Sequence, residues 1–226
     1  MSRFNSIVYT VLCATLMSHV AADSDEIVTC GSTIKLIHAE TKHHLHSHGI
    51  AYGSGSGQQS VTCHGSTDDQ GSMWILKEAS TAPAVCEAGK EIKCGDHIRL
   101  QHLSTGKNLH SHLFKSPLTN NQEVSGFGEN GEGDTGDNWE VICKPGSQWW
   151  IRGETVQFKH VDTGKYLYSS ESGKFSVRNC GQNCPIMGQL EVCAFSRQGD
   201  PKTRWKTGQG IYFPKLIPED SLDDEL

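Results

Sequence analysis

An all-β fold closed from three copies of one unit is what this 226-residue sequence predicts. Three observations predict it. First, one phrase recurs: Gly31-Ser-Thr-Ile-Lys-Leu-Ile-His38, Gly95-Asp-His-Ile-Arg-Leu-Gln-His102 and Gly153-Glu-Thr-Val-Gln-Phe-Lys-His160. Such self-similarity marks a supersecondary unit that buries its apolar face against its own copies. Second, apolar side chains in each phrase alternate with polar ones, the period of a half-buried strand. Third, the chain carries 24 glycines and no convincing helical period, as short strands joined by turns require.

The elements of one unit follow in order. Ile34, Leu36 and His38 alternate with Lys35, Ile98, Leu100 and His102 with Arg99, and Val156, Phe158 and His160 with Gln157, giving the first strand. Thr105-Gly-Lys-Asn-Leu-His and Thr163-Gly-Lys-Tyr-Leu-Tyr place a turn before a second strand, whereas the first unit reads Thr41-Lys-His-His-Leu-His and lacks the glycine. The runs from Gly53 and from Thr119 are loops leading into a third strand. Trp74 and Trp139 sit in a fourth, and Leu190 is taken to close the third unit. Four strands in each of three units suit a single closed β-trefoil, because a lone unit of about 60 residues buries little surface. The expected boundaries are 28–82, 90–145 and 146–200, with 201–226 as a C-terminal segment whose apolar run from Ile211 to Ile217 docks on the body.

Residues 1–22 read as a secretory signal peptide, with Arg3, an apolar run from Ile7 to Met17, and small residues at Val20-Ala21-Ala22. No membrane insertion is expected beyond it. The last four residues, Asp223-Asp224-Glu225-Leu226, are one substitution from the address read by a KDEL-type receptor. Signal and tail together predict residence in the lumen of the endoplasmic reticulum, and Asp223, in place of the usual basic residue, leaves room for partial secretion. Once Cys13 leaves with the signal, the nine cysteines become eight in an oxidising compartment, where disulfides are expected. Repeat register suggests Cys94 with Cys143. Cys30, Cys63, Cys86, Cys180, Cys184 and Cys193 are disulfide candidates without assigned partners, and disulfide is favoured over zinc for Cys180 and Cys184. The net charge of −6 gives no basic footprint for nucleic acid.

His46-Ser-His48 and His110-Ser-His112 repeat in register, and residues two apart share one face of a strand. Each pair could present two imidazoles to a metal, but the third unit has Tyr168-Ser-Ser170, so hydrogen-bonded structural roles are favoured, with a pH-sensitive partner surface as the other reading. His38, His102 and His160 share a face with apolar residues and are expected in the core, as are Trp74 and Trp139. The Gly-rich run from Gly53 to Gln59 is expected to be free of a core role, so Gln58 and Gln59, with the paired histidines, are the candidate partner or glycan surface. Glu129, Glu132, Asp134 and Asp137 lie among glycines as a solvated acidic loop whose spacing matches no EF-hand. No catalytic motif, cofactor motif or Asn-x-Ser/Thr sequon is legible, and the chain is not expected to be an enzyme.

The phrases at 95–102, 107–112, 121–125 and 131–139 resemble the MIR repeats of the stromal cell-derived factor 2 family over nearly the whole mature chain. The resemblance implies a β-trefoil of three MIR repeats and a non-catalytic role in protein quality control. It also implies partners: a J-domain co-chaperone of the endoplasmic reticulum, through it the luminal Hsp70, and misfolded clients kept from aggregating. A trefoil lectin that binds glycans or mannosylated peptides is the alternative.

Overall fold

A computed structural model describes residues 26–80 and 87–216. The expected signal peptide, Cys86 and the Asp223–Leu226 tail lie outside the described residues.

Twelve strands carry the described chain. In order they are β1 (Thr33–His38), β2 (His44–Ala51), β3 (Gln59–His64), β4 (Trp74–Glu78), β5 (His97–His102), β6 (Asn108–Lys115), β7 (Gln122–Phe127), β8 (Trp139–Ile142), β9 (Gln157–His160), β10 (Tyr166–Lys174), β11 (Leu190–Phe195) and β12 (Trp205–Ile211). One short helix, α1 (Val177–Cys180), follows β10. The fold is therefore all-β.

Two sets of pairings organise it. In the first, β1 lies between β4 and β12, β4 pairs with β5, β5 with β8 and β8 with β9. A bridge between Val156 and Trp205 carries this ring back to β12. In the second, the hairpins β2–β3, β6–β7 and β10–β11 meet through their inner strands, with Gln59 opposite Gly126, Cys63 opposite Leu190 and Glu123 opposite Cys193. Closing the ring pairs backbone groups that an open sheet would leave at its edges.

The ring and the hairpins enclose one apolar core. Ile34, Leu36, Leu45, Val61, Trp74 and Leu76 fill it from the first third of the chain, and residues such as Leu100, Leu109, Val124, Trp139, Phe158, Leu167 and Trp205 fill it from the rest. Burying each such side chain stabilises the fold by roughly 1.5–3 kcal/mol. Three of the core indoles stand in equivalent places and satisfy their one donor alike: Nε1 of Trp74, Trp139 and Trp205 donates to the carbonyl of Leu45, Leu109 and Leu167 at 2.9, 2.9 and 3.0 Å.

Trp205 therefore closes the third set, a correction to the reading that gave this place to Leu190. Leu190 opens β11, where β3 and β7 have Gln59 and Gln122. The segment from Phe175 to Gln189, with α1 inside it, lengthens the connection between β10 and β11 and so displaces the tryptophan along the sequence. The chain past residue 200 is consequently part of the body, since β12 pairs with β1 from Thr33↔Ile211 to His38↔Trp205. Beyond it, Phe213 N–H donates to Ser32 Oγ, Thr29 Oγ1 donates to Phe213 C=O, and Leu216 N–H donates to Gly89 C=O. The expected docking holds for this backbone, while Ile211 itself points outward at 71% exposure.

Cys94 and Cys143 form the expected disulfide, and Cys180 pairs with Cys184. Cys30 is also disulfide-bonded. Cys63 and Cys193 correct the sequence reading, being free and buried. Cys63 faces Leu45 and Leu190 across its strand pairs, and Cys193 faces Tyr168 and Glu123, so no cross-strand register joins the two. Burial pushes both thiols up to about 12.

Candidate functional site

His38, His102 and His160 end β1, β5 and β9, and each is essentially without solvent exposure. Nε2 of each donates to a carbonyl at the foot of the next or preceding tryptophan strand: His38 to Lys202, His102 to Gly71 and His160 to Gly136, at 2.8–2.9 Å. Nδ1 accepts from the hydroxyl of Thr41, Thr105 and Thr163 at 2.9 Å. A carbonyl only accepts, so the tautomer is fixed. Burial pushes all three imidazoles below their ordinary value, against the backbone hydrogen bonds that raise them. These histidines are in the core, as read from the sequence.

The paired histidines sit in equivalent places on β2 and β6. His46 Nδ1 donates to Asp69 Oδ2 at 2.7 Å, so His46 Nε2 accepts from His48 Nδ1 at 2.9 Å, and His48 Nε2 meets Ser60 Oγ at 2.9 Å. On β6, His110 Nδ1 donates to Asp137 Oδ1 and His112 Nε2 to Glu123 Oε1, both at 2.9 Å. Burial lowers His46, and burial with the neighbouring His46 pushes His48 down to about 4. His46 and His110 are buried, which corrects their assignment to an open partner or glycan surface; His48 and His112 are half-buried. The cause is local: Gly71 and Gly136 lie so close that an added Cβ would stand 2.5 Å from His46 Cε1 and 2.4 Å from His110 Cε1.

Gln59 is also corrected. It is buried, and its Nε2 donates to Ser47 Oγ and Thr105 Oγ1 at 2.8 and 2.9 Å, tying β3 to the turn after β5. Gln58, half-buried, accepts from Ser125 Oγ at 2.6 Å. The loop between them and Gly53 has a structural anchor, because Ser56 bonds the carboxylate of Glu123 through its hydroxyl and its N–H. Glu191 does the same for Leu118 and Thr119. Both carboxylates are almost fully buried. The sequence reading missed them, although Gln-Glu-Val and Leu-Glu-Val open β7 and β11 in register. Asp137, read as part of a solvated loop, is likewise buried and accepts from Asn108 as well as His110. It brings His110, Asp134 and Asp137 within 4.8 Å of one another, an arrangement that the His110 hydrogen bond and the cap on the turn at Thr135–Asp137 already explain.

What the loops leave open is a groove of mixed lining, somewhat more apolar than polar. The connections between β2 and β3, β6 and β7, and β10 and β11 converge on a groove of about 440 Å³ lined chiefly by Ile50, Pro117, Leu118, Phe175, Pro185 and Ile186. The Cys180–Cys184 disulfide fixes one wall. Beside it, Val177 and Met187 are half exposed. Tyr52, Ser54 and Asn179 line it as well, so the groove joins apolar surface to a few polar groups.

A model of the MIR domain matches residues 55–148. The chain is 50% identical over 189 residues to a stromal cell-derived factor 2-like protein of Dictyostelium discoideum, covering 82% of this chain and 84% of that protein. It is 46% identical over 207 residues to human stromal cell-derived factor 2, covering 92% of each. Among solved structures, the SDF2-like protein from Arabidopsis thaliana superposes with a TM-score of 0.77 at 40% identity, over 84% of this chain and 99% of that one.

Proposed function

The chain belongs to the stromal cell-derived factor 2 family, and from that premise we propose that it is a non-catalytic chaperone accessory of the endoplasmic reticulum lumen. In this reading the closed ring and its three hairpins are a β-trefoil of three MIR repeats. The trefoil is an adaptor: it holds a J-domain co-chaperone and, through it, the luminal Hsp70, and it limits aggregation of misfolded clients. Asp223-Asp224-Glu225-Leu226 returns the protein to the lumen through a KDEL-type receptor.

The observation that carries the adaptor reading is the chemistry of the open surface. The imidazoles of His46 and His110 and the amide of Gln59 are spent on internal hydrogen bonds, whereas the groove where the hairpin loops meet presents Ile50, Leu118, Phe175, Ile186 and two prolines beside Tyr52, Ser54 and Asn179. Apolar surface of this kind binds polypeptide.

The test is affinity capture by tagged mature chain in an extract of endoplasmic reticulum lumen, eluted first with mannose and then with denaturant. A J-domain protein and the luminal Hsp70 released only by denaturant support the adaptor. Glycoproteins released by mannose replace it with the lectin.

A further inference from the structure

Two of the three hairpin loops are pinned from beneath by a buried carboxylate, and the third is not. Glu123 holds Ser56, and Glu191 holds Leu118 and Thr119. The equivalent position on β3 is Ser60, whose hydroxyl is spent on the Ile50 carbonyl and on His48. The loop between β10 and β11 is closed on itself instead, by the disulfide Cys180–Cys184. Its two sulfurs differ in access. Cys184 is buried with Phe175 and Ile186, whereas Cys180 is half-buried and lines the groove, and residues 181–183 between them are exposed. A bridge across 4 positions removes less freedom from the unfolded chain than Cys94–Cys143 across 49, so it contributes less to the stability of the whole fold.

We propose that Cys180–Cys184 is a thiol-exchange site that takes up the cysteine of a polypeptide segment lying in the groove. The thiolate of that cysteine attacks Cys180 Sγ, the sulfur on the groove side. A new S–S bond joins the segment to Cys180 as the bond to Cys184 breaks, and Cys184 leaves with the electron pair and takes a proton from water. Release is the reverse: Cys184 loses that proton, attacks Cys180 Sγ and expels the thiolate of the segment. The cycle consumes no oxidant or reductant, because one disulfide is present at every stage. Cys184 is the resolving thiol, since the loop holds it beside Cys180 at an effective concentration far above that of any thiol in solution. Ile50, Leu118 and Phe175 offer apolar surface to the residues that flank the incoming cysteine. Cys63 and Cys193 are buried and held as thiols, so neither competes. The site rests on the reading of the groove as a polypeptide surface and is independent of which co-chaperone the trefoil holds.

The test adds an excess of a fluorescein-labelled pentapeptide, Ala-Phe-Cys-Val-Ala, to the oxidised mature chain and maps the acid-quenched adduct by mass spectrometry. The label should sit on Cys180. In Cys184→Ser the freed Cys180 should take label from the disulfide-linked dimer of the peptide about ten-fold faster than the freed Cys184 does in Cys180→Ser. Cys63 and Cys193 should stay unlabelled in both, and Cys184→Ser should react faster with the peptide dimer than with glutathione disulfide. Thermal melts show whether each variant keeps the fold, and the adduct on the unmutated chain remains decisive if one does not. Label on Cys184, attack on Cys94–Cys143 first, no adduct before the chain unfolds, equal rates at Cys180 and Cys184, or equal rates with peptide and glutathione would overturn the proposal. Capture of a J-domain protein by the unmutated chain is scored separately. Capture without an adduct sinks the exchange site and leaves the adaptor; an adduct without capture supports the site and sinks the adaptor.

Discussion

His38 and Lys202 stand 164 residues apart in sequence, yet Nε2 of the first lies 2.8 Å from the carbonyl oxygen of the second. That bond joins the first strand of the described chain to the turn before its last. With β1 against β12, it closes the strand ring where the two ends of the fold meet.

His38→Phe keeps a ring of similar shape and removes both hydrogen bonds, leaving the Lys202 carbonyl and the Thr41 hydroxyl short of a partner. Both groups are only partly buried, so leaving them unpaired costs roughly 1–3 kcal/mol. Urea unfolding should show that loss; a change below about 0.5 kcal/mol would mean that the ring does not depend on this bond.

Lys42 has φ of +63° where the equivalent turns have Gly106 at +71° and Gly164 at +68°. In all three, this residue's N–H donates to the carbonyl of the core histidine. Only glycine takes that conformation without a Cβ penalty. Lys42→Gly should therefore stabilise the protein by about 0.5–1 kcal/mol, and Lys42→Ala should not, as measured by the urea midpoint.

Gly71→Ala and Gly136→Ala test the packing that buries the paired histidines. The added methyl meets His46 and the Ser47 carbonyl in one case, His110 and the Ser111 carbonyl in the other. A rigid backbone neighbour cannot yield cheaply, so each should destabilise by about 1–3 kcal/mol. Gly199→Ala, with nothing within 4 Å, is the control and should be nearly neutral by this contact measure.

The positions of the strands, the core histidines and Trp74 and Trp139 were legible because period two and repeat register are local signals. The third tryptophan was not, because the stretch between Phe175 and Gln189 breaks the spacing on which register depends. Burial of His46, His110 and Gln59 was hidden for a different reason. Each is polar in sequence, and what covers it comes from elsewhere in the chain: Asp69 and Gly71, Asp137 and Gly136, and Thr105. Glu123 and Glu191 drew no notice because their partners are the backbone and hydroxyls of a loop in the preceding unit. The groove was illegible since it needs three loops that only the closed fold brings together.

Stability should fall with acid earlier than carboxylate titration explains. His38, His44, His46, His48, His102 and His160 all titrate below their ordinary 6.5 when folded, chiefly through burial. The unfolded chain then binds more protons below pH 6.5, so their contribution is complete above that pH and is lost as pH falls. The contribution of His48 flattens below its folded value of about 4. A histidine neutral when folded and charged when unfolded costs about 1.4 kcal/mol per pH unit, which His48 alone supplies between pH 6 and 5, and the other lowered imidazoles add to it in the same direction. Thermal melts should show a steep fall in that interval; a flat profile would mean that these imidazoles are charged in the native state.

Two truncations separate the body from the proposed retention tail. Ending the chain at Gly199 removes the turn at Pro201–Thr203, β12, Trp205 and the His38 partner, together with one side of the ring. Loss of a fully buried tryptophan alone costs about 3–5 kcal/mol, comparable with the whole stability of many domains. This product should fail to give a cooperative melt. Deleting only Asp223 to Leu226 removes none of the described contacts, so the melt should be unchanged while the protein moves to the medium. A folded product ending at Gly199 would show that β12 is dispensable, and continued retention without the last four residues would show that a partner, not the tail, holds the protein in the lumen.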